Sequence, residues 1–354
     1  MARAGPMAFS KILIRATNWV GDAVMSLPAI RAVRARFPEA EIAVLARPWV
    51  ADLYARETTI QRVIPYIAEP GFHGWGGKIR AAKSLRWENF DCAILLQNAF
   101  EAAAIAWLAG IPRRIGYDRD GRRALLTDPI PVPGPAEIPR HERFYYLEML
   151  RRAGIIADLP EESAIRLEGA EAAAHDGARR LAERNIALPV TGVSPGAAYG
   201  TAKQWLPERF AEAALEVAHA QGGSVVLFGS SGERDLCETV AQTIRQSGVS
   251  AANLAGQTTL GEFVDLAAAC RVFLTNDSGA MHIASALGVP TVAVFGATDD
   301  STTGPTGSLA RVVREPVECS PCLLRECPID HRCMTRVTAA RVAEVARGLL
   351  RSTT

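Results

Sequence analysis

Asp277, Ser278 and Gly279 form a short polar turn between two apolar segments. Residues 272–274 have the pattern of a buried strand, and residues 280–287 have the pattern of a helix. Asp277 or Ser278 can cap the helix, and backbone N–H groups near Gly279 favour a bound phosphate. The turn therefore predicts either a phosphate site or only a capped helix, and other segments must decide between them.

Three further polar loops follow apolar strands in the second half of the chain, at residues 194–203, 229–233 and 296–299. In a Rossmann-like half, the carboxyl ends of parallel strands share one edge, so these loops and the first turn converge on one crevice. Lys203 lies just before a helix that begins at Pro207, where an ammonium group and a helix N-terminus together favour a phosphate. The sequence predicts a site for a nucleotide's diphosphate.

Asp22 follows the first predicted strand, residues 11–16, and stands at the start of a helix. The loop between them contains one glycine and no Gly-x-Gly-x-x-Gly, so the dinucleotide-binding fingerprint is absent. Ligands of open α/β sheets bind at the carboxyl ends of strands, which is where Asp22 lies. Its carboxylate is either a helix cap or a general base.

The first half of the chain also contains the densest basic segment, residues 113–123. A preceding helix adds Lys78, Arg80 and Lys83. Surface charge commonly serves solvation only, but arginine pairs bind phosphates and carboxylates through two hydrogen bonds. The segment therefore predicts an anionic ligand as an alternative to plain solvation.

The composition is that of a globular protein of two domains. The chain has 354 residues, of which 49% are hydrophobic and 22% charged. A formal net charge of +1 gives no reason to expect a nucleic-acid partner. No apolar run approaches the roughly 18 residues of a membrane-spanning helix, and no signal-peptide pattern is present, so we expect a cytoplasmic protein. The strand and helix pattern restarts near residue 190, which predicts domains at residues 1–185 and 186–336.

Four cysteines lie close together near the end of the chain: Cys319, Cys322, Cys327 and Cys333. With His331 they offer enough ligands for a tetrahedral zinc ion. They lack the paired Cys-x-x-Cys of a zinc ribbon, and a disulfide is disfavoured in a cytoplasm. The sequence leaves a structural zinc site and free or redox-active thiols as alternatives.

Three motifs in order along the chain resemble the lipopolysaccharide heptosyltransferase family of ADP-heptose transferases, and within it heptosyltransferase II. They lie at residues 18–29, at 194–197 with 203–207, and at 276–284 with 294–298. The resemblance implies an α/β GT-B fold, with two Rossmann-like domains that face a central cleft. It also implies that the last helix, residues 337–354, packs back on the first domain.

The resemblance further implies roles for individual residues. Asp22 is the implied base, Lys203 the diphosphate partner and Glu233 the ribose contact. Asp277, with Ser278 and Gly279, is the implied contact to heptose and phosphate. The other implied donor-binding residues are Ser194, Gly196, Thr259, His282 and Thr298. For His282, a role as a buried packing residue is an equal alternative to a donor contact. The implied acceptor-binding residues are Asn18, Arg119, Arg122 and Arg123.

The implied reaction is an inverting, metal-independent transfer of heptose from ADP-heptose to the first heptose of heptosyl-Kdo-lipid A. We expect a monomer at the cytoplasmic face of the inner membrane that contacts the membrane through this acceptor. Within the class, heptosyltransferase I or III, or another ADP-sugar transferase, remains an alternative. A nucleotide-sugar epimerase needs an acid and base set that the sequence does not offer, and a non-catalytic nucleotide-sugar sensor is the third alternative.

Overall fold

A computed structural model describes residues 8–67, 74–160 and 164–352. The chain divides into two compact units, Met1–Glu162 and Ser163–Thr354. Each described unit contains one six-stranded parallel sheet with helices along the crossovers. The α/β class and the two Rossmann-like domains predicted from the sequence are confirmed.

In the first unit the sheet order is β3-β2-β1-β4-β5-β6, and all pairs are parallel. The strands are short apolar runs, and Ile12, Leu13 and Ile14 of β1 are fully buried, as expected for a sheet covered on both faces. The strands are β1 (Lys11–Arg15), β2 (Glu41–Ala46), β3 (Arg62–Pro65), β4 (Cys92–Leu95), β5 (Arg113–Tyr117) and β6 (Asp128–Ile130). The helices are α1 (Val20–Arg36), α2 (Pro48–Tyr54), α3 (Trp75–Arg86), α4 (Phe100–Leu108) and α5 (Arg143–Arg152).

The second unit repeats this topology, with the order β12-β11-β10-β7-β8-β9. The strands are β7 (Val190–Ser194), β8 (Ser224–Leu227), β9 (Ala251–Asn253), β10 (Val272–Asn276), β11 (Thr291–Val294) and β12 (Ala310–Val313). The helices are α6 (Ala170–Glu183), α7 (Pro207–Gln221), α8 (Arg234–Gln246), α9 (Leu260–Ala268), α10 (Gly279–Ala286), α11 (Asp300–Thr303), α12 (Arg332–Thr335) and α13 (Ala339–Arg351). The strand order reverses between β7 and β10 here, and between β1 and β4 in the first unit. These switch points are where open α/β sheets bind ligands.

Helix α6 lies in the second unit, so the domain boundary falls at residues 162/163 and not at 185/186 as the sequence predicts. It packs against α9, and Arg180 bonds Glu262 at 3.0 Å and Asp265 at 3.2 Å. A Cβ on Gly177 would stand 2.0 Å from the Asp265 carbonyl oxygen, so the two helices touch through backbone. The apolar face of α6 is therefore covered by the second sheet's own helix layer.

Helix α13 packs on elements of the second unit, and the predicted packing of residues 337–354 on the first domain stays a prediction. It lies against α7, and its buried residues join Phe210 and Val217 in one core cluster. Arg347 adds an ion pair to Glu216 of α7 at 3.2 Å. The face of α13 that the sequence marks as apolar is covered here by α7. Within the described residues, no helix is both long and apolar enough to cross a membrane.

Candidate functional site

The carboxyl ends of β7 and β10 lie side by side at the switch point of the second sheet, where Thr275 is the register partner of Ser194. In the turn after β7, Lys203 donates from Nζ to Asp277 Oδ2 at 2.6 Å. Thr298, after β11, donates from Oγ1 to the same oxygen at 2.6 Å. The Asp277 side chain is 4% exposed and that of Lys203 12%. A buried ion pair thus joins three of the predicted donor loops.

Asn276, at the end of β10, is hydrogen-bonded to the backbone of the segment after β7, a role that the sequence reasoning missed. Its Oδ1 accepts from Trp205 N at 2.9 Å, and its Nδ2 donates to Pro195 O at 2.7 Å. Asn276 is fully buried, so both ends of its amide are satisfied inside the protein. The sequence signal was a polar residue at the end of an otherwise apolar strand.

Helix α10 begins at Gly279, and Ser278 occupies its N-cap position without a side-chain cap. The Ser278 hydroxyl instead pairs with Thr275 Oγ1 at 3.1 Å, and Asp277 bonds Lys203 and Thr298. The simple helix-cap interpretation of this turn therefore does not describe the structure. His282 lies in the first turn of α10 and is buried.

The loop after β8 fixes Glu233 against Ser230 and Gly196. Glu233 Oε2 accepts from Ser230 N at 2.7 Å and from Ser230 Oγ at 2.8 Å. A Cβ on Gly196 would stand 1.9 Å from Glu233 Oε1, so this glycine allows the carboxylate to lie on the β7 loop. Thr259 caps α9: its Oγ1 accepts from Glu262 N at 3.1 Å. The hydroxyl of this implied donor-binding residue therefore caps the start of α9.

In the first unit, Asp22 lies in the first turn of α1, after β1, and is half-buried. The N-cap position belongs to Trp19. Helix α1 packs on α5, which Glu142 precedes. Burial raises the pKa of the Tyr146 hydroxyl, and the charges of Asp22 and Glu142 raise it further. The charge of Asp22 also raises the pKa of a second carboxyl group, that of Glu142, which the sequence reasoning missed.

Asn18 is held by two side chains near the end of β1. Its Oδ1 accepts from Arg15 Nη2 at 3.0 Å, and its carbonyl oxygen accepts from Trp49 Nε1 at 2.8 Å. Arg15 is 1% exposed and also donates to Tyr66 Oη at 2.7 Å. Asn18, the predicted contact to the sugar acceptor, is thus positioned by a hydrogen bond from the buried guanidinium of Arg15.

Arg122, which the resemblance implies to be an acceptor-binding residue, lies inside the first unit. It is fully buried, and it donates to Tyr117 O at 2.8 Å, to Asn98 Oδ1 at 3.0 Å and to the carbonyl oxygen of Gln97. Burial lowers the pKa of Arg122 to about 10. A buried guanidinium needs hydrogen-bond acceptors inside the protein, and Arg122 finds them at the end of β5 and in the loop after β4. It therefore links these two segments.

Arg119 and Arg123 lie on the same loop and are exposed. Arg119 Nη1 donates to Tyr145 Oη at 3.2 Å, and Tyr145 Oη also accepts from Asn98 Nδ2 at 3.0 Å. Arg123 pairs with Asp118. Of the three predicted acceptor-binding arginines, these two are placed where a ligand has access.

Comparisons with known proteins match this fold and these motifs. The model of glycosyltransferase family 9 (heptosyltransferase) matches residues 78–332. Lipopolysaccharide heptosyltransferase 2 of Salmonella typhimurium is 35% identical over 312 residues, which cover 86% of this chain and 88% of that protein. The chain belongs to glycosyltransferase family 9.

Further family 9 relatives agree with this assignment. Lipooligosaccharide heptosyltransferase 2 of Haemophilus influenzae is 32% identical and covers 86% of this chain and 88% of its own length. The solved structure of E. coli ADP-heptose lps heptosyltransferase II is 31% identical, with a TM-score of 0.83 over 97% of this chain and 99% of that one. The chain is therefore a glycosyltransferase of the GT-B class.

The four clustered cysteines of this family 9 chain lie between β12 and α13, and all are free thiols. Cys319 is exposed and Cys333 is buried. Burial raises the pKa of the Cys333 thiol, and the other three cysteines raise it further. In the part of the chain that the structure describes, no three His, Cys, Asp or Glu side chains are grouped to hold a metal ion. The structural zinc site therefore stays a prediction.

The pKa of Glu142 predicts a pH-dependent stability in this glycosyltransferase. Burial raises the pKa of its carboxyl group, Asp22 adds to the rise and Arg119 opposes it. A raised folded pKa means that Glu142 contributes stability fully below its unfolded pKa of about 4.3, and that this contribution is lost as the pH rises through the folded value. Glu142→Gln cannot ionise, so we expect its Tm relative to wild type to increase from about pH 4 to pH 7.

Thermal unfolding across this pH range measures the effect, and Glu137 provides a control of opposite sign. The pKa of Glu137 is lowered by the hydrogen bond from Gly134 N and by Arg152. Glu137→Gln should therefore lose Tm relative to wild type as the pH rises. The same slope in both variants would contradict the assignment to Glu142.

Proposed function

We propose that this chain transfers heptose from ADP-heptose to the first heptose of heptosyl-Kdo-lipid A, as an inverting heptosyltransferase II. The observation that carries the proposal is the Lys203–Asp277–Thr298 cluster at the switch point of the second sheet. It supplies a cation and a helix start where a nucleotide diphosphate binds in such folds. The relatives named heptosyltransferase 2, and the solved ADP-heptose lps heptosyltransferase II of E. coli, support ADP-heptose as the donor and lipopolysaccharide as the class of acceptor.

Asp22 is the proposed general base. Its carboxylate takes the proton from the acceptor hydroxyl as that oxygen attacks the anomeric carbon of heptose. The bond from this carbon to the phosphate oxygen breaks, and ADP leaves with the electron pair. Because the hydroxyl oxygen attacks on the face opposite to the leaving ADP, the anomeric centre is inverted. Negative charge grows on the leaving diphosphate, so Lys203 and the N-terminus of α10 stabilise the transition state more than the ground state.

The proposed chemistry needs no metal ion. Asp277, a carboxylate that could otherwise bind Mg²⁺ beside a diphosphate, is neutralised by Lys203 at 2.6 Å. A cation bound to the leaving group is then provided by the protein itself. Zinc binding by the cysteines is a separate structural proposal, and metal analysis of the purified protein tests it.

The acceptor is amphiphilic, and its phosphates and Kdo carboxylates match the exposed arginines of the first unit, Arg119 and Arg123. We propose that the enzyme works as a monomer at the cytoplasmic face of the inner membrane and meets the membrane through this acceptor. Sedimentation with and without acceptor-bearing vesicles tests both points. Binding to vesicles that lack the acceptor would contradict the second.

The deciding experiment is ADP release from ADP-heptose in the presence of EDTA. Heptosyl-Kdo-lipid A is compared with Kdo-lipid A as acceptor. Turnover only on the heptosylated acceptor supports the proposal, and turnover on Kdo-lipid A assigns the chain to heptosyltransferase I instead. Loss of turnover in EDTA that Mg²⁺ restores would overturn the metal-independent mechanism.

The position of Gly196 gives a test of the proposed ribose contact. In Gly196→Ala the new Cβ displaces the Glu233 carboxylate, which then loses its bonds to Ser230. We expect the Kd for ADP to rise about threefold to tenfold, the cost of roughly one hydrogen bond. Calorimetric titration with ADP measures this.

Gly232→Ala in the neighbouring loop is the matched control, because the nearest atom to its added Cβ is 4.0 Å away. This control should bind ADP as wild type does. An unchanged Kd in Gly196→Ala would remove Glu233 from the donor site.

A further inference from the structure

The segment from residue 319 to 331, here called the cysteine segment, is bonded to two of the donor loops. Ser320 Oγ donates to Gly296 O at 2.6 Å, and Leu323 N donates to Ala297 O at 2.8 Å, which fixes the loop after β11. Tyr199 Oη donates to Leu323 O at 2.8 Å, which adds the loop after β7. The segment is thus part of the wall of the proposed donor site.

Arg325 of the cysteine segment lies beside the turn that contains Lys203. Its carbonyl oxygen accepts from Ala202 N at 3.0 Å. A Cβ on Gly200, whose φ is +157°, would stand 2.2 Å from this oxygen, so only glycine allows the approach. The backbone of Arg325 is therefore fixed one residue from the diphosphate-binding lysine.

The side chain of Arg325 shares an aromatic ring with Lys203. Its guanidinium carbon is 5.2 Å from the centroid of the Tyr199 ring, and Lys203 Nζ is 4.8 Å from the same centroid. Both cations contact one ring, which lies in the loop after β7. Two positive side chains are thereby held together at the proposed donor site.

The charges of the two cations are not equally balanced. Lys203 is paired with the buried Asp277 at 2.6 Å. Among the described residues, no carboxylate oxygen lies within ion-pair distance of the Arg325 guanidinium, and its side chain is exposed. Positive charge therefore remains at this place, where an arginine can bind two phosphate oxygens at once.

We propose that Arg325 is a second cation for the diphosphate of the nucleotide-sugar donor, with the Tyr199 ring as its support. The inference rests on the proposed function, because it takes the second unit as the donor site. Lys203 and the N-terminus of α10 then act from the strand side, and Arg325 acts from the cysteine segment. The rival interpretation is that Arg325 only covers the Tyr199 ring and binds no ligand.

Calorimetric titration with ADP and with adenosine separates these interpretations. In Arg325→Ala we expect the Kd for ADP to rise about tenfold, the loss of a charge-assisted hydrogen bond at an exposed site, and the Kd for adenosine to stay unchanged. Arg325→Lys should recover part of the loss, because it keeps the charge without the planar fork. In turnover, the KM for the donor should rise by a larger factor than kcat falls.

Arg332→Ala is the matched control on the neighbouring helix α12. Arg332 is also partly exposed, but it pairs with Asp330 at 2.9 Å and Glu318 at 3.3 Å. This control should bind ADP as wild type does. The inference is overturned if the Kd for ADP is unchanged in Arg325→Ala, or if the Kd for adenosine rises by the same factor as the Kd for ADP. In either case the proposed function stands as long as the wild type binds ADP. Failure of the wild type to bind ADP would instead overturn the proposed function itself.

Discussion

Asp22→Asn is expected to lower heptose transfer about 100-fold to 10,000-fold, the range of general-base catalysis, and to leave the Kd for ADP unchanged. The amide has nearly the shape of the carboxylate but does not take a proton at neutral pH. Asp22 lies in the first turn of α1, and asparagine and aspartate have similar helix propensities, so the helix should still form. Single-turnover ADP release measures the rate, and titration with ADP measures binding.

Two controls sharpen this result. Asp120→Asn changes an exposed aspartate in the loop after β5 and should keep the wild-type rate. Glu142→Gln tests whether the neighbouring carboxyl group is the base instead. Asp22→Asn with a rate within threefold of wild type, or a larger loss in Glu142→Gln than in Asp22→Asn, would contradict the role of Asp22.

The sheets and the donor loops could be predicted because their signals are local. A parallel strand covered on both faces is a short apolar run, as in β1 and β10, and the polar residues that follow it mark the ligand edge. Asp277 and Lys203 are 74 residues apart in sequence, yet their strands β10 and β7 are neighbours in the sheet. Fold class and motif order were therefore enough to bring them together.

The features that could not be predicted depend on which other element packs against a helix face or a side chain. Periodicity shows that α6 and α13 each have an apolar face, but it does not show which neighbour covers that face. Helix α6 was therefore assigned to the first domain although it belongs to the second unit, and the contact of α13 with α7 was not predicted. Arg122 and Arg123 are adjacent in a basic segment, and only the structure shows that one is buried under carbonyl oxygens while the other is exposed. Arg325 lies in a segment that the sequence marks only by its cysteines, so its position beside Lys203 was not predicted.

Lys203→Met is expected to destabilise the second unit by about 3 to 5 kcal/mol, because it leaves the buried Asp277 carboxylate without its cation. Thr298 Oγ1 remains as a hydrogen-bond donor to Asp277. The Asp277 side chain is only 4% exposed, so one hydroxyl does not compensate for the burial of its charge. The Kd for ADP should rise at least about tenfold, since a charge-assisted bond to the diphosphate is lost as well. Urea unfolding and calorimetric titration measure the two effects.

The double variant Lys203→Met with Asp277→Asn separates stability from binding. It removes both charges of the pair, so most of the lost stability should return, because a buried pair contributes little once neither partner is left alone. ADP binding should stay weak, because the cation for the diphosphate is still missing. Thr298→Val keeps both charges and should cost only about 1 kcal/mol. If the double variant regains ADP binding together with stability, Lys203 serves the fold and not the donor, and the diphosphate must be held by other groups.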